Sequence, residues 1–238
     1  MLDYFPTERP HILAHRGLAL AAVENSLDAF RAALNAGATH IETDAQATLD
    51  GIAVLFHDDV FDSRPISHYL HEELPSYIPT LDEALRVFPD ARFNIDIKSK
   101  GAIQPVADTV RAHGAAGRVL IASFSEKRRR ETVEHIPGIA SSASARQFTV
   151  ALLAAKIGLN FLVRRALGNV DAIQIPTRGA GMKTVTRRTL AAYKSAGVVV
   201  HVWTVNDPVE MERLVLLGVD GIVTDRTDLA YTQFSQGR

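Results

Sequence analysis

The sequence predicts one α/β domain over residues 1–238, a (β/α)8 or TIM barrel with a short insertion after the second strand. Short β-branched runs alternate eight times with longer stretches of helical period. No linker rich in proline, glycine or serine interrupts the alternation, and the length of 238 residues is typical of a single barrel of this kind. Glycines also end several predicted helices before the next strand. These are Gly37, Gly114, Gly197 and Gly218.

Each predicted strand is a short apolar run, and each helix after it has its apolar residues on one face. The strands are predicted at residues 12–14, from 40–41 onwards, 92–97, 119–122, 139–143, 172–175, 198–203 and 221–223. The helices are predicted over a stretch opened by residues 24–26, then at 81–87, 103–113, 126–135, 148–159, 186–196, 208–217 and 228–234. Asp50-Gly51 predicts a turn and an antiparallel extension of strand two. Residues 58–79 contain three prolines and are predicted to form an irregular insertion.

Composition excludes several classes of protein. The chain has no cysteine, so it has neither disulfides nor thiolate metal ligands. A net charge of −1 indicates no overall attraction to nucleic acid or to an anionic membrane. The basic run at residues 127–130 is interleaved with glutamates and predicts a solvated helix face. No signal peptide or membrane-spanning run is recognisable, and we expect a cytoplasmic protein.

Most predicted strands end in a polar residue, as expected if one end of the barrel is functional. Glu42 and Asp44 are two residues apart on strand two, so their side chains share one face, and Asp96 and Lys98 repeat this on strand three. Three convergent carboxylates repel each other unless a cation lies among them, and oxygen ligands favour Mg²⁺ or Ca²⁺. The alternative is that the carboxylates pair with arginines at the rim.

Two histidines occur on either side of these carboxylates in the sequence. His15 and His57 could act as general base and general acid, since each can hold or release a proton near neutral pH. Arg16 and Lys98 would bind a phosphate group. Trp203 either lines the pocket or belongs to the core. The other seven histidines are predicted to be satisfied core or surface residues with no role in the reaction.

Seven motifs in this order resemble those of the glycerophosphodiester phosphodiesterases. They are His15-Arg16-Gly17, Glu24-Asn25-Ser26, Ile41-Glu42-Thr43-Asp44, His57-Asp58, Asp96-Ile97-Lys98, Trp203-Thr204-Val205-Asn206 and residues 218–225. The resemblance covers nearly the whole chain and implies a barrel that hydrolyses a glycerophosphodiester to glycerol 3-phosphate and an alcohol.

The resemblance also implies a role for each candidate residue. Glu42, Asp44 and Asp96 would hold one divalent cation, Mg²⁺ or Ca²⁺. Arg16, Lys98 and Trp203 would contact the substrate. His15 and His57 would carry the protons, His15 as base and His57 as acid. The chain departs from the family pattern at Val23 in place of proline, at Asp96 in place of glutamate and in its short insertion.

Two other functions are compatible with these residues. A lysophospholipid could replace the glycerophosphodiester as substrate, and an apolar lip would favour this. Residues 148–163 are apolar enough to touch lipid, but Lys156 and the helical period favour a packed barrel helix. A non-catalytic barrel that binds a ligand is the other alternative, although no histidine or carboxylate of the pattern is missing. The partner is expected to be a small phosphodiester rather than nucleic acid. The alcohol group and the oligomeric state stay open.

Overall fold

Eight parallel strands form the barrel in the computed structural model, which describes residues 4–179 and 181–235. The strands are β1 His11–His15, β2 His40–Ala47, β3 Phe93–Ile97, β4 Val119–Ala122, β5 Ala140–Ser141, β6 Ala172–Pro176, β7 Val199–Trp203 and β8 Gly221–Thr224. Neighbouring strands pair in the order β5-β4-β3-β2-β1-β8-β7-β6. A bridge between Ser142 and Ala172 and the bond from the Ala143 N–H to the Ala172 carbonyl (2.9 Å) join β5 to β6. The predicted barrel is therefore confirmed.

Helices surround the strands and bury their apolar faces against them. The single helix predicted at residues 148–159 is wrong. Ser144 caps an earlier start by accepting a bond from the Gln147 N–H, and Gly158 ends the helix in a left-handed conformation (φ +82°). A second helix then follows. The helices in the described residues are α1 Leu27–Asn35, α2 Leu81–Val87, α3 Ile103–Ala112, α4 Glu126–Glu134, α5 Ala145–Ile157, α6 Asn160–Leu167, α7 Arg187–Ser195, α8 Pro208–Leu217 and α9 Thr227–Ser235.

The insertion after β2 is more ordered than predicted. Strand Ala53–Leu55 pairs antiparallel with β2, which confirms the predicted extension. Within residues 58–79, Val60–Phe61 pairs with Arg64–Pro65, and two short 3-10 turns follow. A small cluster of buried apolar side chains holds this segment against the barrel. Its members are Val54, Ile66, Tyr69, Leu74 and Ile78. The prolines shape the turns, and burial of these side chains fixes the segment.

The end of the barrel opposite the strands' carboxyl ends contains three buried histidines in mutual contact. His11 Nδ1 lies 3.1 Å from His201 Nε2, and the ring of His40 is 5.3 Å from that of His11 between centroids. The main chain of Tyr4 and Pro6 covers them, since each carbonyl lies within 3.0 Å of a histidine nitrogen. Their burial and hydrogen bonds agree with the expectation that they are satisfied core or surface histidines, but the sequence did not predict that they touch. They are far apart in sequence. β1 and β2 are paired, whereas β7 is separated from β1 by β8, where Gly221 leaves room for the rings to meet.

The basic run on α4 is only partly a solvated face. Lys127 and Arg130 are exposed and pair with glutamates four residues further along the helix. Arg129 is fully buried, and its Nη1 donates to Ser141 Oγ (3.1 Å). Since the run is longer than one helix face, one arginine must point inward. Across the described residues, no helix has both the length and the apolar character to cross a bilayer.

Candidate active site

The carboxyl ends of the strands surround one cavity of about 550 Å³, which is lined by all eight residues that the sequence singles out. Register brings them together. Asp44 on β2 is paired with Asp96 on β3, and His15 on β1 is paired with Glu42. Because parallel strands present their carboxyl ends at the same rim, residues from distant parts of the chain become neighbours. The residues are His15, Arg16, Glu42, Asp44, His57, Asp96, Lys98 and Trp203.

Two cations neutralise part of the carboxylate cluster. Lys98 Nζ lies 3.0 Å from Asp44 Oδ1 and 3.1 Å from Asp96 Oδ2, and Arg16 Nε lies 3.1 Å from Asp44 Oδ2. Burial acts to lower the pKa of Lys98, but the charges of Asp96 and Asp44 outweigh it and the pKa is raised. Lys98 therefore stays protonated. The alternative of rim pairing with arginine is therefore realised for Asp44.

The carboxyl groups of Glu42 and Asp96 are less fully neutralised by neighbouring cations than that of Asp44. Burial, followed by the charge of Asp44, raises the pKa of Glu42, and burial also raises the pKa of Asp96. Oδ1 of Asp96 is buried and has no hydrogen-bond partner in the described structure. Within residues 4–179 and 181–235, no three His, Asp or Glu side chains are arranged closely enough to hold an ion in this conformation. The cluster nevertheless has oxygen donors and uncompensated negative charge, the two features that suit a hard cation.

His15 has a carboxylate partner that the sequence reasoning did not identify. Its Nδ1 lies 2.6 Å from Asp225 Oδ1, and Asn206 Nδ2 donates to the other oxygen of Asp225 (2.7 Å). Burial acts to lower the pKa of His15, but the bond to Asp225 and the charge of Glu42 overcome it and raise the pKa. A carboxylate only accepts, so Nδ1 carries the proton and Nε2 is the free base. The sequence contains a signal for this contact, because Asp225 directly follows β8, the strand that pairs with β1.

His57 has a similar partner in its neighbour along the chain. Its Nδ1 lies 2.7 Å from Asp58 Oδ1, and its side chain is about one-third exposed. It reaches the cavity from the loop after strand Ala53–Leu55, outside the ring of barrel strands. Both histidines therefore have Nδ1 held by a carboxylate, which leaves Nε2 of each available for proton transfer.

Asn25 is a second residue whose role the sequence did not reveal. It is buried, its Nδ2 donates to Asp44 Oδ2 (3.1 Å), and its Oδ1 accepts from Thr43 Oγ1 (2.7 Å). Asn25 and Arg16 both have positive φ, 58° and 57°, which costs free energy in residues other than glycine. The Asn25 N–H donates to the Arg16 carbonyl, so these two strained residues support one another beneath Asp44.

The other wall of the cavity is apolar. Trp203 packs edge to face against Phe124 with ring centroids 6.1 Å apart, and it lines the pocket. Of the two positions that the sequence left open for Trp203, pocket wall or core, the structure shows the first. Phe124 is 62% exposed, which is unusual for a phenylalanine, and Phe148 and Pro176 extend the same wall. The cavity thus has a charged side formed by β1–β3 and an apolar side formed by the segments after β4–β7.

Comparison with known proteins identifies the family. The model of the glycerophosphoryl diester phosphodiesterase family matches residues 15–229, which is most of the chain and all of the cavity residues. The chain belongs to this family. The resemblance carried by the sequence motifs is therefore confirmed, and the chain is homologous to these phosphodiesterases.

Relatives of similar length support this assignment. The chain is 38% identical over 232 residues to the probable glycerophosphodiester phosphodiesterase 2 of Mycobacterium tuberculosis, covering 91% of this chain and 88% of that protein. It is 27% identical to the glycerophosphodiester phosphodiesterase of Caldanaerobacter subterraneus, over 90% of this chain and 93% of that one. These relatives share the whole barrel and not merely one motif.

Solved structures share the fold. A glycerophosphodiester phosphodiesterase from Thermotoga maritima superposes with a TM-score of 0.76 at 24% identity, over 98% of this chain and 100% of that chain. A phosphodiesterase from Oleispira antarctica, solved with its product sn-glycerol-3-phosphate, gives a TM-score of 0.78 at 22% identity, over 95% and 97% of the two chains. At these identities the superpositions establish the barrel architecture.

Proposed function

We propose that the chain hydrolyses a glycerophosphodiester to glycerol 3-phosphate and an alcohol. The observation that carries this proposal is the single cavity that joins two histidines, three carboxylates and two cations. Arg16 and Lys98 supply positive charge for the phosphate, and the histidines supply proton transfer. The product bound to the Oleispira relative has the same chemistry as the product proposed here. A complete set of ionisable groups favours an enzyme over a binding module.

Glu42, Asp44 and Asp96 are proposed to hold one divalent cation, Mg²⁺ or Ca²⁺. The support is chemical: the donors are all carboxylate oxygens, two of them have raised pKa values, and Oδ1 of Asp96 is buried without a partner. When bound, the cation would supply charge stabilisation for the phosphoryl oxygens in the transition state. Asn25 would hold Asp44 in place, because it donates to one oxygen of that carboxylate.

His15 is proposed as the general base and His57 as the general acid. The bond that Nδ1–H of His15 donates to Asp225 fixes the proton on Nδ1 and raises the pKa of His15, which makes Nε2 a stronger base. His57 lies on the outer loop, where a leaving alcohol can reach solvent after it takes a proton. His15 could take its proton either from the glycerol 2-hydroxyl or from water. Location in the cytoplasm stays a prediction from composition.

The proposal is tested with purified protein, Mn²⁺ and glycerophosphocholine, with glycerol 3-phosphate release as the readout. His15→Ala and His57→Ala should each lower kcat by about 10²–10⁴-fold, the range for a lost acid or base. His135→Ala, an exposed histidine remote from the cavity, is the matched control. Wild-type turnover in either active-site variant would contradict the acid–base roles. Activity that survives EDTA would contradict the cation site.

A lysophospholipid is a second candidate substrate, favoured by the apolar wall of Phe124, Phe148 and Trp203. An acyl chain could lie against this wall while the phosphate meets Arg16 and Lys98. The two substrates are separated by comparing glycerophosphocholine with lysophosphatidylcholine on the wild type and on Phe124→Ser. If the lysophospholipid is the substrate, this change raises its KM at least about tenfold by removing buried apolar contact. If the wall only shapes the barrel mouth, both substrates change equally.

A further inference from the structure

Charge is segregated along the chain. Residues 135–206 contain nine lysines and arginines but a single acidic residue, Asp171, although the whole protein has a net charge of −1. This stretch forms β5, α5, α6, β6, α7 and β7, consecutive elements on one side of the barrel. A strongly basic side on a nearly neutral protein produces a local field that the net charge conceals.

The same side has exposed apolar residues in a regular arrangement. Val150, Leu153 and Ile157 are spaced three and four residues apart, so they form one stripe on α5, and they are 44%, 51% and 68% exposed. Arg146 lies one turn before Val150 on the same stripe. Single exposed apolar residues are ordinary, but a continuous stripe indicates an interaction surface.

The stripe continues onto α6 and meets arginines there. Phe161 is 60% exposed, and Arg164 and Arg165 follow it by one turn on the exposed side of α6. Arg188 of α7 lies across the turn between the two helices, with Nη2 2.6 Å from the point where a Cβ on Gly158 would be. The side chains on α5, α6 and α7 therefore form one surface, which we call the basic–apolar face. It comprises Arg146, Val150, Leu153, Ile157, Phe161, Arg164, Arg165 and Arg188.

The arginines of this face are largely free to meet an outside partner. Among the described residues, Arg164, Arg165 and Arg188 form no ion pair, whereas Arg146 pairs with Glu126 at 3.5 Å. The face also begins at the active site. Ala145 and Phe148, in the first turn of α5, line the catalytic cavity.

We propose that the basic–apolar face docks the enzyme on an anionic phospholipid bilayer, with the cavity mouth beside the lipid headgroups. Apolar side chains flanked by arginines are the pattern of an interfacial helix, whose apolar residues enter the headgroup boundary while the cations meet acidic lipids. Positive charge alone would equally suit nucleic acid, but nucleic acid would leave the apolar stripe exposed. The inference concerns location and does not depend on the reaction proposed above.

Co-sedimentation of the full chain with vesicles tests this docking. We expect binding to vesicles of phosphatidylcholine mixed with phosphatidylglycerol, little binding to phosphatidylcholine alone, and weaker binding at high salt. Each basic side chain near an anionic surface raises partitioning about fivefold, so Arg164→Glu with Arg165→Glu should reduce it at least about thirtyfold. Ile157→Gln with Phe161→Gln should also weaken it markedly.

Matched controls come from other sides of the barrel. Arg86→Glu with Arg111→Glu, on α2 and α3, reverses two exposed charges elsewhere, and Leu216→Gln on α8 removes a side chain that is 80% exposed. These variants should bind the vesicles like the wild type. All variants should turn over glycerophosphocholine, which is water-soluble, at the wild-type rate, because none of the changed residues lines the cavity.

Three results would overturn the inference. The first is a wild type that does not bind anionic vesicles, and the second is a loss of binding in the control variants as large as that in the face variants. A dimer that the face variants convert to monomer, with no vesicle binding, would assign the face to a second copy of the chain. Vesicle binding by a wild type that hydrolyses no glycerophosphodiester would overturn the proposed function and leave the docking surface standing.

Discussion

The contact between His15 and Asp225 is a relation between single residues that governs proton transfer in the proposed reaction. Asp225 follows β8 and His15 ends β1, and these strands are neighbours because the barrel closes between the ends of the chain. The pair resembles other catalytic pairs in which a carboxylate orients a histidine, and the Asp225 side chain is about half-buried. Asp225 is therefore a positioning residue and contacts no reacting atom itself.

Replacing Asp225 with asparagine should lower kcat about a hundredfold, because His15 loses the group that fixes its proton on Nδ1. The pKa of His15 should also fall, since the bond that His15 donates to Asp225 raises it in the wild type. The acidic limb of the kcat/KM profile should then move to lower pH. Asp108→Asn, an exposed carboxylate on α3, is the control. An unchanged pH profile would reduce Asp225 to a structural role.

Replacing Asn25 tests the support beneath Asp44. Asn25→Gly keeps the positive φ of 58° without strain and removes only the side chain, whereas Asn25→Ala also strains the backbone. Both variants should need about 10–100-fold more Mn²⁺ for half-maximal activity, the usual effect of losing a group that orients a ligand. Saturating Mn²⁺ should restore most of kcat. A metal requirement equal to that of the wild type in Asn25→Gly would show that Asn25 does not position the ligand.

At the scale of elements, β1, β2 and β7 bury three histidines at the end of the barrel away from the cavity. Gly221 on β8 makes room for them, because a Cβ there would lie 2.7 Å from the His11 Cβ and 2.9 Å from His201 Cδ2. Burial lowers the pKa of His11 to about 4, and burial and neighbouring His11 also lower that of His201. These rings are therefore neutral in the folded protein.

This cluster predicts loss of stability in acid. The unfolded chain binds a proton at His11 near pH 6.5 and the folded chain only near about pH 4, so stability decreases as the pH falls through that window. Between about pH 7.5 and about pH 5, His11 alone should lower the free energy of unfolding by about 2 kcal/mol. Urea unfolding at several pH values measures this. His11→Gln should flatten the dependence, while His135→Gln, on the surface, should not. Equal slopes in all three proteins would contradict the prediction.

At the scale of the whole molecule, the barrel core is independent of the proposed cation, while the rim is not. The apolar clusters between strands and helices contain none of the predicted ligands. At the rim, burial and then the charge of Asp44 raise the pKa of Glu42, so its charged form is disfavoured in the metal-free barrel. The carboxyl groups that the proposed reaction needs at this rim are therefore expected to lower the free energy of unfolding of the metal-free barrel.

Glu42→Gln should make the metal-free protein more stable at neutral pH. Burial and the charge of Asp44 raise the pKa of Glu42 to about 8, so the glutamate must take up a proton on folding, whereas glutamine is already neutral. The Tm measured in EDTA should rise. Added Mn²⁺ should raise the Tm of the wild type, since it binds only the folded state, and should have little effect on the variant. Glu73→Gln, whose carboxylate is exposed and paired with Arg64, is the control. A Tm of the wild type that does not respond to Mn²⁺ would count against this ligand set.

The sequence by itself determined the barrel and most of its rim. Strand and helix periods are local properties, and the ends of strands point to one rim whatever the packing, so His15, Glu42, Asp44, Asp96 and Lys98 could be placed together in advance. The sequence did not determine which groups touch. Only closure of the barrel brought Asp225 to His15 and joined three histidines that are up to 190 residues apart. Side-chain pairing across a barrel depends on register between strands distant in sequence, and no local pattern encodes that register.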